Sequence, residues 1–544
     1  MSSSPTRRER IHLDGRTLEG GGQLVRIAVA LSTITGQPIT IEHIRGHRTG
    51  KKGLKASHLA AIKYLADVSG SAVSGAEVGS SSLTYHPLPD AETCVRQQQE
   101  IDIRLRTAGA ISLVFQALYP YILHTASCLA VAEPNPQPVR VSITGGTNVS
   151  FSPSYDYISQ VLVPNLARVG LPPLAVHLEK RGWATGPFSL GKVTFVLHSM
   201  DRNEESPYGF PRVDLDRYPR GEITQVDVTV LAPDTLLFGG SGQHEARKKG
   251  NSQISDGTSQ SITLRQVIEY ETMRVLRTRL RQLPSSIVKR ARADSPFART
   301  YENDEIVPIR LHTSERTHHH SHIYILIVAH TSNGFRLGRD TLFGAHGEDS
   351  HRKSGGRKGR PTDDRGIALK LVERCVNDFV RELYDPRLRS TSEGRQPCVD
   401  EYMRDQLVIF EALGKSTSKC EADGRGKEDE RYCSLHTQTA RWSTGISHRL
   451  TATPIYILAS STNTPSSPAS STNLSTNNLF ALSLTLPTPK FRNIGPETAC
   501  SNSSPACSTL YSFTWKTGLT YTFSTSNPAS VNNPANDSSP FTQL

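Results

Sequence analysis

The sequence predicts an α/β or α+β fold for the first part of the chain. From residue 11 to about 191, short apolar strands alternate with amphipathic helices, and this order implies helices packed on sheets. The length of 544 residues allows two or three domains and a sizeable core. Residues 195–345 have a different pattern, which predicts a second unit.

The elements follow from the spacing of apolar residues. Ile11 and Leu13 end a short strand, and apolar residues from Leu24 to Ile34 recur at helical spacing. Further strands are predicted at 39–41, 83–85, 139–143, 226–230 and 324–328. Further helices are predicted at 54–68, 108–123, 155–169, 262–283, 367–383 and 401–413.

A run of three glycines, at 20–22, separates the first strand from the first helix. Glycine lets the backbone approach a ligand closely, and the N-terminus of the following helix offers N–H groups to an anion. Glu19 and Arg26 would flank such an anion, the first suited to a metal and the second to phosphate. The same pattern is also typical of an ordinary tight turn, and its spacing matches neither a Walker loop nor a dinucleotide fingerprint.

Charge and cysteine content narrow the class of protein. The net charge of +11 and the pI near 9.2 favour a polyanionic partner, although many basic proteins are merely soluble. One basic group, from Arg45 to Lys55, follows the glycines closely; runs of like charge also occur as solvated faces. The eight cysteines form no CxxC pair, which indicates reduced thiols in an intracellular protein. We find no secretory signal and no apolar run near the roughly 20 residues of a spanning helix, and therefore expect a soluble protein without a membrane partner.

Six motifs follow the glycines in a fixed order. They are IRGHR at 44–48, GLKASHL at 53–59, GGTN at 145–148, SPSYDY at 152–157, EYMRDQL at 401–407 and LHT at 435–437. Together they closely resemble the RNA 3′-terminal phosphate cyclase family, over roughly residues 11–193 and 367–442.

This resemblance implies a fold of repeated βαβ-type modules similar to the C-terminal domain of translation initiation factor three. A smaller α/β domain would be inserted into it. The expected divisions are 11–194 for the first part of the large domain, 195–345 for the inserted domain, 346–366 for a disordered basic loop, 367–442 for the last part of the large domain, and 443–544 for a disordered tail. We find no convincing internal sequence repeat.

The resemblance also implies an activity. Such enzymes use ATP and a divalent metal, Mg²⁺ or Mn²⁺, to convert an RNA 3′-phosphate into a 2′,3′-cyclic phosphate. A histidine attacks the α-phosphorus of ATP, and the covalent phosphoramidate replaces one hard displacement by easier ones. The expected partner is thus RNA with a 3′-phosphate end, and the expected location is the nucleus (nucleoplasm). The sequence does not fix an oligomeric state.

The matching motifs imply which residues of this sequence would have the functional roles known in the family. His436 matches the nucleophile, and Glu19 would hold the metal. The residues that match nucleotide contacts are Gln116, Pro153, Tyr402, Asp405 and Gln406, and those expected to bind phosphate or substrate are Gln23, Arg26, Arg45 and Arg48. By composition alone, His436 could be a structural histidine, Tyr402 a core residue and the arginines ordinary surface charge.

The chain departs from the family at several points. Ser57 stands where the family usually has glutamine, residues 184–187 replace the start of a glycine triplet, and 30 positions separate Gln406 from His436, more than the family norm. After Trp442 the family continues with a helix and a strand, but residues 451–544 contain 34 serines and threonines, ten prolines and five charged residues. We interpret this tail as a replacement of the natural C-terminus, through an unspliced intron or a frameshift.

Two alternatives to the enzyme follow. One is a catalytically inactive cyclase-like protein that acts in ribosome biogenesis, and the other is an RNA or nucleotide binder; the presence of His436 favours the enzyme. The cluster of His318, His319, His320 and His322 suggests a metal site, but it lies in a polar loop, and a solvated loop is the favoured interpretation.

Overall fold

The computed structural model describes residues 8–17, 20–48, 50–88, 99–130, 136–237, 262–289, 307–345, 364–386, 396–414, 509–514 and 520–525. The chain forms two compact units, Met1–Ile457 and Leu458–Leu544. All elements described before the tail belong to the first unit.

The first module is a four-stranded sheet with two helices. Its elements are β1 (Ile11–Asp14), α1 (Gly22–Thr35), β2 (Ile39–Glu42), α2 (Ala56–Ser69), β3 (Ala72–Ser74) and β4 (Leu83–His86). The sheet order is β1-β2-β4-β3, with β1 parallel to β2 and the other pairs antiparallel. Both helices end at left-handed glycines, Gly36 at φ 68° and Gly70 at φ 62°, a conformation that glycine adopts without strain.

The second module repeats this topology. Its elements are β5 (Glu100–Arg104), α3 (Ile111–Ala130), β6 (Val139–Gly145), α4 (155–168), β7 (Leu174–Lys180) and β8 (Gly191–Leu197). Helix α4 is continuous through Tyr155–Tyr157, a π-helical turn at Ile158–Leu162, and Val163–Arg168. The order β5-β6-β8-β7 again has one parallel pair followed by antiparallel pairs. The two modules therefore share one topology, although their sequences show no convincing repeat.

Helix α3 is the longest apolar helix of these modules. Among the described residues it is the one helix long and apolar enough to cross a membrane by length and composition, which differs from our expectation of no such run. Most of it is buried in the core, where Phe115 stacks on Phe195 with ring centroids 3.8 Å apart. Burial in the core accounts for its apolar character.

A third sheet has a different order, β12-β9-β13-β14. Its elements are β9 (Ile223–Pro233), the short pair β10 (Leu236–Leu237) and β11 (Ile262–Thr263), α5 (Leu264–Arg281), β12 (Ile309–Thr317), β13 (Tyr324–Thr331), β14 (Arg336–Leu342) and α6 (Asp364–Leu383). Successive residues of β13 enter two cores: Tyr324 joins the core of the first two modules, and Ile325 joins a second core with α5 and α6. Burial on both faces explains the continuous apolar run of this strand.

The division into domains stays a prediction, but the packing of α6 differs from the expected arrangement. We placed residues 367–383 in the last part of the large domain, whereas Leu371, Val376 and Phe379 pack in the second core, against the third sheet. An amphipathic helix shows in sequence that it has an apolar face, but not which sheet that face covers.

The last helix of the first unit is α7 (Glu401–Leu413), and a buried carboxylate fixes where it begins. Asp400 accepts hydrogen bonds from the backbone N–H of Met403 at 2.9 Å, the backbone N–H of Gly338 at 2.7 Å and the hydroxyl of Tyr157 at 2.5 Å. It therefore caps α7 and ties it to β14 and α4.

The tail contains two described strands, β15 (Thr509–Thr514) and β16 (Thr520–Thr525), which pair antiparallel. This pairing differs from the predicted disorder of 443–544, which rested on serine, threonine and proline content. Both strands are rich in threonine and aromatic residues, which favour strands. The rest of the tail and residues 346–363 lie outside the described residues, whereas residues 364–366, predicted as the end of the disordered loop, belong to α6.

Replacement of Asp400 by alanine is expected to lower the free energy of unfolding by roughly 3 kcal/mol, because a hydroxyl and two N–H groups lose their acceptor in a buried place. Asp400→Asn keeps an oxygen acceptor and is expected to lose less. Denaturant unfolding measures both, with Asp102→Ala at an exposed position as the control, expected within about 0.5 kcal/mol of the parent. Equal stability of Asp400→Ala and Asp102→Ala would contradict the role of this cap.

Candidate functional site

The glycine segment folds back on the loop that follows β2. Gly20 has a φ of 55°, and a Cβ there would lie 1.8 Å from the carbonyl oxygen of Gly15. The backbone N–H of Arg45 donates to the carbonyl of Gly20 at 3.0 Å. Arg45 itself has a φ of 59°, a strained conformation for a residue with a side chain. The glycines thus allow a close approach that brings Arg45 to the N-terminus of α1.

The first turns of α1 and α2 meet at Gly22. A Cβ on Gly22 would lie 2.3 Å from Nε2 of His58 and 2.8 Å from Nη1 of Arg26. His58 is in the first turn of α2, and its Nδ1 accepts from the backbone N–H of Lys55 at 3.3 Å. Two helix N-termini, each with a partial positive charge, therefore converge on one place.

Positive side chains concentrate at this junction, which we call the cation cluster: Arg26, Arg45, Arg48 and Lys55. Burial, together with Arg26, Lys55 and Arg45, lowers the pKa of His58 to about 3, so its imidazole is neutral at physiological pH. Burial lowers the pKa of Arg26 to about 10, and the charge of Asp405 opposes that shift. Burial and the neighbouring Arg45 also lower the pKa of Lys55. Cations that disfavour one another in this way are typical of a site for an anion.

A cavity lies between α3, α4 and α7 and is partly open to solvent. Three of the predicted nucleotide contacts, Gln116, Pro153 and Gln406, line it, and the remaining walls are largely apolar. Nε of Arg26 donates to Oε1 of Gln116 at 2.8 Å, so the cavity adjoins the cation cluster. An apolar cleft with a few amide groups suits a flat heterocycle, and the adjoining cations suit phosphates.

The two other predicted nucleotide contacts lie on α7. Tyr402 is 38% exposed, and the guanidinium carbon of Arg339 lies 4.5 Å from its ring centroid. Partial burial and the charge of Asp340 raise the pKa of Tyr402 above its usual value. Tyr402 is not among the described residues that line the cavity, whereas Asp405 is close enough to Arg26 to act on its charge.

Two predicted phosphate-binding residues differ in their surroundings. Gln23 is 5% exposed, and its Nε2 has no hydrogen-bond partner among the described residues. A buried amide donor in this state is suited to a ligand oxygen. Arg48 acts on the charge of Lys55 and thus belongs to the cluster. Glu19 and His436 lie outside the described residues, so their roles as metal ligand and nucleophile stay predictions.

Comparison with known proteins identifies the family of this chain. The sequence profile of the RNA 3′-terminal phosphate cyclases matches residues 17–446. The chain belongs to the RNA 3′-terminal phosphate cyclase family. The predicted resemblance to this family and the mixed α/β fold of the chain are thereby confirmed.

Several curated relatives carry the family name. An RNA 3′-terminal phosphate cyclase of Thermococcus sibiricus is 39% identical over 183 residues, 33% of this chain and 47% of the relative. One of Koribacter versatilis is 32% identical over 231 residues, 42% of this chain and 57% of the relative. A probable RNA 3′-terminal phosphate cyclase of Dictyostelium discoideum is 26% identical over 429 residues, 79% of this chain and 74% of the relative. The chain thus spans about half the length of the first two relatives.

His58 has no role predicted from the sequence, although it lies in the motif GLKASHL at 53–59. Its contact with Gly22 and Arg26 depends on how α1 packs on α2, and the sequence does not show that packing. Its place directly after the basic group, at the start of a predicted helix, was the available signal. Ser112 and Phe115 also line the cavity. In the sequence they lie in an apolar helix pattern, which predicts a buried helix and gives no sign of a binding site.

The histidine cluster forms a turn between β12 and β13. His318 and His320 are exposed, as a solvated loop requires, but His322 is buried and stacks on Trp183 with centroids 4.6 Å apart. Nε2 of His322 is 3.0 Å from the carbonyl oxygen of Thr185. Among the described residues, no group of three histidine, cysteine or acidic side chains could hold a metal ion.

The low pKa of His58 predicts a pH-dependent stability. Between pH 6.5, the usual pKa of histidine, and pH 3, the folded protein binds fewer protons at the His58 ring than the unfolded chain does. The free energy of unfolding is therefore expected to fall as the pH decreases through this window, by up to roughly 1.4 kcal/mol per pH unit. His58→Gln should flatten this dependence, and His312→Gln at an exposed position should not. Parallel profiles for the parent and His58→Gln would show that the ring does not titrate as described.

Proposed function

We propose that this protein uses ATP to convert an RNA 3′-phosphate into a 2′,3′-cyclic phosphate, through a covalent adenylate on His436. The observation that supports it is the bond between Arg26 and Gln116, which joins the apolar cavity to the cation cluster. A nucleoside triphosphate has the same two parts, a flat base and a polyanion. The names of the relatives agree with this chemistry.

The cavity would take the base. Its apolar walls remove the flat faces of a base from water, while the amides of Gln116 and Gln406 offer donors and acceptors to the edges. Asp405 and Tyr402, on the same helix as Gln406, would contact the ribose or the outer face of the nucleotide. The bonds of Asp400 hold this helix in place before any ligand arrives.

The cation cluster would take the phosphates. Arg26, Arg45 and Arg48 carry fixed charge, and the helix N-terminus at Gly22 adds N–H groups at the place where a Cβ would not fit. Nε2 of Gln23 would gain the acceptor that it lacks among the described residues. Glu19 would hold a divalent ion, Mg²⁺ or Mn²⁺, which neutralises phosphate charge when bound.

In the proposed reaction, a neutral nitrogen of His436 forms a bond to the α-phosphorus of ATP, and pyrophosphate leaves. The AMP group is then transferred to an oxygen of the RNA 3′-phosphate, which frees the histidine. Attack by the neighbouring 2′-hydroxyl closes the ring, AMP leaves, and the hydroxyl gives up its proton. AMP is a good leaving group, unlike an oxygen of the phosphate itself, which is why activation is needed. We further propose a role in RNA end processing in the nucleus, which cell fractionation tests.

Incubation with α-³²P-labelled ATP and Mg²⁺ or Mn²⁺ is expected to label the full-length protein with an acid-labile adduct. His436→Ala should abolish the label, because no other group replaces the nucleophile, and His312→Ala should retain it. Addition of RNA with a 3′-phosphate should discharge the adduct and yield a 2′,3′-cyclic end.

The same assay separates the proposal from its alternatives. A folded protein that binds ATP but takes up no label would be a nucleotide binder or an inactive cyclase-like protein. Label that persists in His436→Ala would move the nucleophile elsewhere.

Replacement of Arg26 by glutamine is expected to weaken ATP binding roughly 10- to 100-fold, since one charge-assisted contact to phosphate contributes about 1.5–3 kcal/mol. Lys63→Gln removes an exposed charge on α2 and should leave ATP binding unchanged. Equilibrium binding of ATP measures both. Similar affinities for the two variants would remove Arg26 from the phosphate site.

A further inference from the structure

Two hydroxyl groups of α3 lie at the cavity without a partner. Ser112, Phe115, Gln116 and Tyr119 are spaced three or four residues apart, so they share one face of the helix, and all four line the cavity. The hydroxyls of Ser112 and Tyr119 are buried, and neither has a hydrogen-bond partner among the described residues. Buried polar groups in this state are uncommon in folded proteins.

Other buried hydroxyls of the same helix do have partners. Oγ1 of Thr125 donates to the carbonyl of Tyr121 at 3.1 Å, and Oγ of Ser127 donates to the carbonyl of Leu123 at 2.9 Å. Neither Thr125 nor Ser127 is among the described residues that line the cavity. The lack of a partner is thus a property of the face of α3 that lines the cavity.

The ring of Tyr119 is held by aromatic neighbours. It is 4% exposed, stacks on Phe115 with ring centroids 5.0 Å apart, and meets Phe410 edge-on at 5.5 Å. Both phenylalanines also line the cavity. Burial raises the pKa of the Tyr119 hydroxyl well above its usual range, so the group stays protonated and can donate as well as accept.

Packing alone does not account for a tyrosine at position 119. A phenylalanine would make the same ring contacts without leaving a polar atom unpaired, and an unpaired buried hydroxyl destabilises the folded protein. A ligand in the cavity can supply the missing partner. The edges of a nucleobase carry ring nitrogens and exocyclic groups that form hydrogen bonds with a hydroxyl.

We propose that Tyr119 is a specificity-determining residue, whose hydroxyl forms a hydrogen bond to the edge of the nucleotide base. The inference rests on the proposed function, because it assigns the base of ATP to the cavity. It adds a hydroxyl to the amides of Gln116 and Gln406 as a group that recognises the base. A ligand without a matching group leaves this hydroxyl unpaired, and the site discriminates against it for that reason.

The test compares ATP with ribose 5′-triphosphate, which has the same polyanion but no base. Equilibrium binding of both ligands is measured for the full-length protein and for Tyr119→Phe. The affinity for ATP should fall about 3- to 10-fold, the effect of one neutral hydrogen bond, and the affinity for ribose 5′-triphosphate should not change. The midpoint of thermal unfolding without ligand should stay equal or rise, because the variant lacks the unpaired hydroxyl.

Tyr85→Phe is the matched control, since it removes a buried hydroxyl that does have a partner. Tyr85 is fully buried, and its hydroxyl accepts from Oγ1 of Thr33 at 2.9 Å. This variant should lower the thermal midpoint and leave the affinity for ATP unchanged. The two tyrosine variants are therefore expected to show opposite patterns.

The outcomes are distinct. Equal affinity of the parent and Tyr119→Phe for ATP would overturn the inference and leave the proposed function standing. Equal losses for ATP and ribose 5′-triphosphate would show a general effect on the site and also overturn it. A lower thermal midpoint of Tyr119→Phe would show that the hydroxyl has a structural role, again against the inference. Absence of ATP binding by the parent protein would instead defeat the proposed function.

Discussion

The buried carboxylate of Asp400 is the interaction on which the arrangement of the site depends. Without a fixed first turn, the register of helix α7 against α3 and α4 would be open. The three bonds to Met403, Gly338 and Tyr157 fix that turn. Arg339 adds a bond to Glu401 at 2.8 Å. The positions of Asp405 and Gln406 relative to Gln116 follow from these contacts.

The cation cluster has an energetic cost. Arg26, Arg45, Arg48 and Lys55 surround a neutral histidine, and each charge disfavours the others. The unusual backbone of Arg45 and the glycines that admit it add to that cost. The protein tolerates this repulsion because burial of the apolar cores of the modules contributes a larger, favourable folding free energy. An anion that binds at the cluster reduces the repulsion. Anion binding and stability are therefore linked in this family member.

Much of the fold could be predicted from the sequence, because apolar spacing and glycine ends are local signals. The starts of β2, β4, β6, β9 and β13 agree with expectation to within three residues. Contacts between distant segments, such as Gly22 with His58 and α6 with the third sheet, depend on packing that no local pattern contains. Gln116, Pro153 and Gln406, which the motifs singled out, line one cavity, but no motif gave a sign of the left-handed backbone at Arg45.

The third sheet is covered on both faces, and this has a consequence for how the chain must mature. Its central strand β13 has an uninterrupted apolar run, Tyr324 to Ala329, shared between two cores. Until α5 and α6 pack over it, that run is an exposed apolar segment with a high strand propensity, and such segments are prone to aggregation. Because α6 follows the whole sheet in sequence, we expect early docking of that last helix to protect the nascent chain.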